Sequence, residues 1–257
     1  MADITSRYQG NVDDSDQVNW RGDQVSTPQG GQSIYDSASL KLAELGARKV
    51  VGDRVFRYAL AGGTIKAADV VEAQPAIELF GAIATTSPAG GKRVTITATD
   101  TRGSNVFADG MFMVGSGTAS NCGYAYKVKS HPDISSAGNG VLTLYDPIKR
   151  AMDATDLAVL QANKYAGVVQ CTTGAAHVIA GVAPIYVTSG EYFWLQTWGP
   201  AGVKTAAGAT GAVAADATGQ AITYDSAQAQ AAHVPIGQAM MDISASAYGI
   251  VFLQIAP

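Results

Sequence analysis

Histidine, cysteine and aspartate are the residues that could bind a metal or drive catalysis in this chain, and their spacing argues against both. His131, His177 and His233 lie far apart, and none has a second ligand at metal-binding spacing in the same element. Cys122 and Cys171 lie 49 positions apart, and neither belongs to a Cys-x-x-Cys pair. We therefore predict no metal and no cofactor. Two buried free thiols are the simpler expectation, and a single disulfide stays open.

Sequence motifs for catalytic nucleophiles and phosphate loops are not found either. Gly115-Ser116-Gly117 lacks the spacing of a Gly-x-Ser-x-Gly elbow and the third glycine of a dinucleotide loop, so it predicts a turn between strands. Gly91-Lys92 precedes arginine rather than serine or threonine, so it is no phosphate loop. These observations predict a protein that is not an enzyme.

Two acidic motifs near the start of the chain are similarly incomplete. Asp13, Asp14 and Asp16 match half of a calcium loop, but its frame and closing glutamate are missing, so a solvated acidic arm is expected. Arg21-Gly22-Asp23 spells an adhesion tripeptide, which three residues produce easily by chance.

Composition excludes several classes of protein. The 257 residues include 29 glycines and only 15% charged residues, against about 25% in an average domain. Disorder and helical bundles need more charge. A net charge of −4 gives no footprint for nucleic acid, and no run of about 18 apolar residues or signal peptide is visible. We predict no nucleic-acid or membrane partner.

Charge is unevenly distributed along the chain. Residues 1–40 carry a net −4, residues 41–66 a net +4, and residues 151–257 hold only eight charges. The basic stretch could dock an acidic protein surface or form an ordinary solvated face. The nearly neutral C-terminal part suits a protein held in an assembly.

The pattern of apolar residues predicts a mainly β protein: an extended N-terminal arm followed by β-sandwich or barrel-like domains with few short helices. We place the arm and a short helix at 37–45 in residues 1–46, a β-rich domain in 47–160, and a low-charge β-rich domain in 161–257. Another short helix is expected near 66–74, and residues 153–160 are expected to form a weak linker or a short helix. Tyr8 and Trp20 are the expected anchors of the arm.

The aromatic run Tyr192–Trp198 predicts a strand buried on both sides. Alternation places Phe193, Leu195 and Thr197 on one face, and Tyr192, Trp194 and Trp198 on the other. Such a strand lies at the centre of a sheet or in a subunit contact.

This run continues as Gly199-Pro200-Ala201 and resembles a segment of tailed-bacteriophage proteins that decorate or stabilise the capsid. Further segments resemble the same group, and together they cover roughly residues 45–257: Gly52–Ala59, Gly123–Pro132, Leu142–Pro147 and Tyr248–Leu253.

The resemblance implies a non-enzymatic virion protein on the capsid exterior, made in the host cytoplasm. It would form a homo-oligomer, such as a dimer or trimer, and bridge major capsid protein subunits. The interface residues that we predict are Tyr8, Trp20, Arg48, Lys49, Arg54, Arg57, Trp194 and Trp198. The alternative is a tail or head-fibre adhesin in which Trp194 and Trp198 stack on host glycan. A hydrolytic virion enzyme is disfavoured by the missing nucleophile.

Overall fold

The fold of the described part of the chain is entirely β. A computed structural model describes residues 32–74, 78–117, 120, 122–172, 178–224 and 234–257. These ranges contain seventeen strands and no helix, so the predicted mainly β class is confirmed. None of the described residues belongs to a helix that could cross a membrane. Tyr8, Trp20 and the acidic motifs lie outside the described residues.

The chain divides into two compact units, one inserted into the other. The described residues of 32–74 and of 164–257 form the first unit, and those of 78–163 form the second. This division differs from the predicted boundaries at 46/47 and 160/161. Residues 47–74 belong with the C-terminal part because β3 (Arg54–Leu60) pairs with β13 (Tyr192–Lys204).

The second unit is a closed barrel of six antiparallel strands. Their order around the barrel is β10-β5-β6-β9-β8-β7, and β7 pairs with β10 to complete the ring. Side chains alternate between a buried interior and the surface, as the period of two predicts. The strands are β5 Glu78–Ile83, β6 Arg93–Ala98, β7 Met111–Ser116, β8 Ala125–Ser130, β9 Asn139–Leu144 and β10 Leu157–Gln161.

The first unit is built on an eleven-stranded antiparallel sheet. Its main order is β11-β4-β12-β13-β17-β16-β14-β15, while β1 and β3 also pair with β13, and β2 pairs with β3. Besides β3 and β13, the strands are β1 Ser37–Ala38, β2 Arg48–Val51, β4 Val70–Glu72, β11 Val169–Gln170, β12 Ile179–Val182, β14 Ala212–Ala215, β15 Ala221–Thr223, β16 Pro235–Ala239 and β17 Tyr248–Gln254.

Strand β13 is buried on both faces, as its aromatic run predicts. Phe193 and Leu195 pack in one cluster with Ala180 of β12, and Trp194 packs in another with Phe56 and Tyr58 of β3. The central position of β13, which pairs with β1, β3, β12 and β17, accounts for this burial.

A β-bulge overturns the predicted placement of Trp198. Trp194 pairs with Tyr58, but Trp198 pairs with Val55, so β13 carries one extra residue. Because Tyr58 and Val55 are an odd number of positions apart, Trp194 and Trp198 lie on opposite faces of the sheet. The bulge brings Gly199 against the Asp53 carbonyl at a φ of +82°, where any side chain would collide.

The Thr197 side chain is buried inside this bulge. Its hydroxyl donates to the Ala256 carbonyl at 2.7 Å, and its own carbonyl accepts from the backbone amides of Ile255 and Ala256. These bonds tie the end of β17 to the bulge and satisfy the groups that the interrupted ladder leaves unpaired.

A turn-and-strand motif recurs in both units. A buried residue is followed by a four-residue turn, closed by a backbone hydrogen bond, and then by a strand of the sheet (β4, β13, β17) or of the barrel (β6, β9, β10). The buried residues pair through isolated bridges, Ile65 with Val187 and Ser87 with Met152 among them. The six residues that begin the motif are Ile65, Ser87, Ile134, Met152, Val187 and Ile243.

The helices expected at 37–45 and 66–74 are wrong, and so is the helix that was one of two alternatives for 153–160. Residues 37–45 contain β1, whose Ser37 pairs with Phe193, and then bends and turns. Residues 66–69 form one of the recurring turns, and β4 follows it. Residues 153–156 form another, and β10 follows. Pairing with neighbouring strands prevails over the helix propensity of alanine in these short segments.

Two adjacent alanines test the role of the recurring turn. Ala68 occupies the third turn position with φ of +67°, whereas Ala67 before it has no positive φ. We expect Ala68→Gly to raise the free energy of unfolding by about 0.5–1 kcal/mol, and Ala67→Gly to lower it by a similar amount. Urea unfolding followed by tryptophan fluorescence measures both, and equal signs would contradict the assignment.

Candidate interaction surfaces

Gln32 anchors the segment that precedes β1 on the first unit. Its carbonyl oxygen accepts from Lys49 Nζ and from Trp194 Nε1, both at 2.9 Å. Its side-chain amide donates to the Tyr192 carbonyl at 2.7 Å and accepts from the Tyr58 hydroxyl at 2.9 Å. The chain therefore holds its own residues 32–38 against β3 and β13. The sequence pattern did not identify Gln32, because glutamine carries no local signal for such a role.

Two of the predicted interface residues are used inside the chain. Trp194 is 1% exposed and Lys49 is 2% exposed. The ammonium of Lys49 lies 5.4 Å from the centre of the Trp194 ring, in a cation–π arrangement. Neither side chain is accessible to a partner of the folded unit, so the stacking platform expected at Trp194 is wrong. Its burial follows from the central position of β13.

Arg48 and Arg57 lie directly opposite each other on β2 and β3. Arg48 is exposed, while Arg57 donates to the main-chain oxygens of Gly46 and Pro257. Arg57 Nε is buried with no hydrogen-bond partner among the described residues. Burial, with a smaller contribution from the charge of Arg57, lowers the pKa of the half-buried Lys164 ammonium. Lys164 adjoins β3, because the carbonyl of the next residue, Tyr165, accepts from the Leu60 amide at 2.9 Å. We name Arg48, Arg57 and Lys164 the cation cluster.

Arg54 lies apart from this cation cluster. Its guanidinium stacks at 5.5 Å over the Phe56 ring and donates to the Tyr35 hydroxyl at 3.3 Å. Tyr35 is half exposed, so this contact leaves an aromatic and cationic surface beside β3.

Trp198 belongs to an exposed apolar face that β13, β16 and β17 form together. Its ring packs edge-on against Phe252, with centroids 5.9 Å apart. Phe252 pairs with Pro200, and Met240 donates its amide to the Ile250 carbonyl, so these side chains share a face. We name this surface the C-terminal apolar face; it consists of Trp198, Pro200, Met240, Tyr248, Ile250 and Phe252.

The exposure of this face is unusual for an isolated domain. Tyr248 is 65% exposed, Met240 is 57% exposed and Ile250 is 46% exposed. Lys204 pairs with Tyr248 and places one positive charge at the border of this face. Exposed apolar side chains that are grouped on one face mark an interaction site more often than exposed apolar side chains scattered singly.

The barrel carries its own apolar strip on the outer side of β5, β10 and β7. Val159 of β10 pairs with Phe80 on one side and with Met113 on the other, and Leu157 pairs with Ala82. Phe80 and Leu157 are about half exposed, and a shallow groove lies beside them. No charged side chain stands among these paired positions.

His131 has a structural role within the barrel unit. Its Nε2 accepts from the Phe107 amide at 3.0 Å, and its Nδ1 lies 2.7 Å from the Pro132 carbonyl, which fits a neutral ring protonated on Nδ1. Burial lowers the pKa of this ring, while the Pro132 carbonyl and the Asp133 charge oppose the shift. His177 and His233 lie outside the described residues. Within the described ranges, no three His, Cys, Asp or Glu side chains could hold a metal.

Neither cysteine forms a disulfide, as expected, but only Cys171 is buried. Its thiol donates to Glu72 Oε2 at 3.5 Å, and the amide and hydroxyl of Thr172 donate to Glu72 Oε1. These donors satisfy a fully buried carboxylate, which is the condition for placing one in a core. Cys122 is half buried.

Comparison with known proteins finds no matching family model, no matching curated protein and no matching solved structure.

Tyr58 tests the anchor at Gln32. Its hydroxyl donates to Gln32 and accepts from the Leu42 amide, and Tyr58→Phe removes both bonds without opening a cavity. We expect a loss of about 1–3 kcal/mol in the free energy of unfolding, because a buried amide and carbonyl lose their partner. Tyr186→Phe, at a 61% exposed position, is the control and should change little. Equal effects in urea unfolding would contradict the anchor.

His131 makes stability depend on pH. Since burial lowers its folded-state pKa below the ordinary 6.5, the unfolded chain binds the proton more readily. The contribution of neutral His131 to the free energy of unfolding is therefore fully present above pH 6.5. It decreases as pH falls below 6.5, by at most about 1.4 kcal/mol per pH unit for one proton. His131→Gln keeps an acceptor for the Phe107 amide and cannot titrate. Urea unfolding by circular dichroism between pH 7.5 and 5.5 should show a smaller decrease in the variant; parallel curves would argue against this role.

Proposed function

We propose that the chain is a non-enzymatic structural protein of a bacteriophage virion. In this proposal it binds the outside of the capsid, bridges major capsid protein subunits and stabilises the shell. A protein that binds only the assembled lattice shifts the equilibrium toward that lattice in proportion to its affinity, without any chemistry.

The observation that carries the proposal is the C-terminal apolar face. Its side chains project from three paired strands, so the backbone holds them in place before any partner arrives. Such preorganisation lowers the entropy cost of binding. Tyr and Trp on this face are also the residues that most often dominate interface energies.

The resemblance to capsid-decorating proteins supports the same proposal. Three of the segments that carry it lie on β3, β13 and β17, and β13 pairs with both of the other strands in the first unit. The other two lie on β8 and β9 of the barrel. The resemblance thus extends over the strands of both units rather than over one exposed loop.

The glycan-binding alternative loses half of its proposed platform. Trp194 is buried, and Trp198 is packed against Phe252 at one end of the C-terminal apolar face. We therefore retain the capsid as the partner, and binding to host cells becomes an outcome of the experiment.

The test measures binding of the full chain to three separate preparations: expanded empty heads, detached tails and host cells of the phage that encodes it. We expect saturable co-sedimentation with heads. Tyr248→Ser should weaken that binding by about tenfold, because truncating an interface tyrosine typically costs more than 1 kcal/mol. Head stability toward heat, with and without the protein, gives a second readout.

Tyr186→Ser is the matched control. Tyr186 is as exposed as Tyr248 but lies outside the C-terminal apolar face, so the variant should bind like the unchanged protein. Sedimentation with tails or cells but not with heads would overturn the proposal. If both variants lost binding to heads equally, the C-terminal apolar face would not be the capsid-binding surface.

A further inference from the structure

The cation cluster on the first unit makes no ion pair with an Asp or Glu side chain of the described residues. Arg48, Arg57 and Lys164 form it, and no described Asp or Glu makes an ion pair with any of them. Arg48 and Arg57 occupy directly opposed positions, an arrangement that destabilises an antiparallel pair unless an anion offsets it. In a chain with 15% charged residues, three converging cations are a concentrated feature.

Each terminal nitrogen of the Arg57 guanidinium donates to one main-chain oxygen. The Gly46 carbonyl accepts from Nη1 at 3.3 Å, and the Pro257 oxygen accepts from Nη2 at 2.7 Å. These bonds hold the guanidinium in place beside Arg48. They leave Arg48 and Lys164 as the groups that can meet an incoming carboxylate.

The printed sequence contains a segment of complementary charge. Residues 1–31 carry Asp3, Asp13, Asp14, Asp16 and Asp23 against Arg7 and Arg21, a side-chain net of −3. This segment is continuous with Gln32, which the structure places on Lys49 of β2.

Strand geometry places the cluster close to Gln32. Lys49 and Arg48 are neighbours on β2, so their side chains leave opposite faces of the strand. Lys49 reaches Gln32 on one face, and Arg48 meets Arg57 on the other. In the described part, β2 pairs only with β3. A chain that continues from Gln32 can therefore pass around the unpaired edge of β2 to reach Arg48 on the opposite face. An extended chain gains roughly 3.3 Å per residue, so the nine residues from Asp23 to Gln32 reach about 30 Å.

We propose that Arg48, Arg57 and Lys164 form a docking site for carboxylates, and that its occupant is the aspartate-rich segment 1–31 of the same chain. The attraction between them is electrostatic and partly exposed, so it weakens as salt screens it.

The experiment is zero-length carbodiimide cross-linking of the full-length chain, which joins a lysine amine to a carboxylate in direct contact. Tryptic mass spectrometry should find Lys164 joined to an aspartate of residues 1–31. Asp13, Asp14 and Asp16 replaced together by asparagine, or Arg48→Gln alone, should lower the yield about two- to fivefold, the effect of losing an exposed ion pair. Salt near 1 M should do the same.

Matched controls separate the site from general charge. Arg93→Gln removes an exposed cation from the barrel and should leave the yield unchanged. Lys164→Arg keeps the charge but removes the amine, so the assigned product must vanish. A mixture of ¹⁵N-labelled and unlabelled chains distinguishes one chain from two.

Cross-links of uniform label support the proposal. Links of mixed label would overturn the same-chain occupant in favour of a second copy. The docking site itself is refuted if Lys164 joins no aspartate of residues 1–31, or joins them no better than the barrel's Lys92 and Lys129 do. This readout needs no capsid, so its failure is independent of the failure of the proposed function.

Discussion

The bulge in β13 is the constraint on which the first unit depends. One strand of thirteen residues supplies core side chains to three clusters and pairs with four other strands. A strand with strict alternation would present Trp194 and Trp198 to the same face. The extra residue reverses that order, so the aromatic side chain before the bulge enters a core and the one after it lies on the C-terminal apolar face.

Strand positions were largely predictable, because apolar and polar residues alternate along the sequence with a period of two. β6, β8, β9, β13 and β17 all follow alternating or aromatic runs. The short helices were mispredicted since a few alanines and serines say little against strand pairing with distant residues. The inserted barrel could not be read from the sequence either, because pairing of β3 with β13 joins residues more than 130 positions apart.

The candidate surfaces, too, were only partly predictable from the sequence. The basic stretch near 41–66 was visible as charge, but only pairing shows that Arg48 opposes Arg57. Trp194 and Lys49 were attractive as interface residues because aromatic and basic side chains are common there, yet both serve the anchor at Gln32. The recurring turn was a missed local signal: a small residue at the third turn position before each strand.

The closed barrel has a consequence for how this protein can change over evolutionary time. A strand at an open edge offers a partner its main chain, which no substitution other than proline removes. Every strand of the barrel is paired on both sides, so its strands present outward side chains and no open main-chain edge. Single substitutions on that exterior can therefore create or abolish a specificity while the interior stays untouched. Among the described strands of the sheet unit, β2, β11 and β15 each have an unpaired edge, whose main-chain groups stay the same when side chains change.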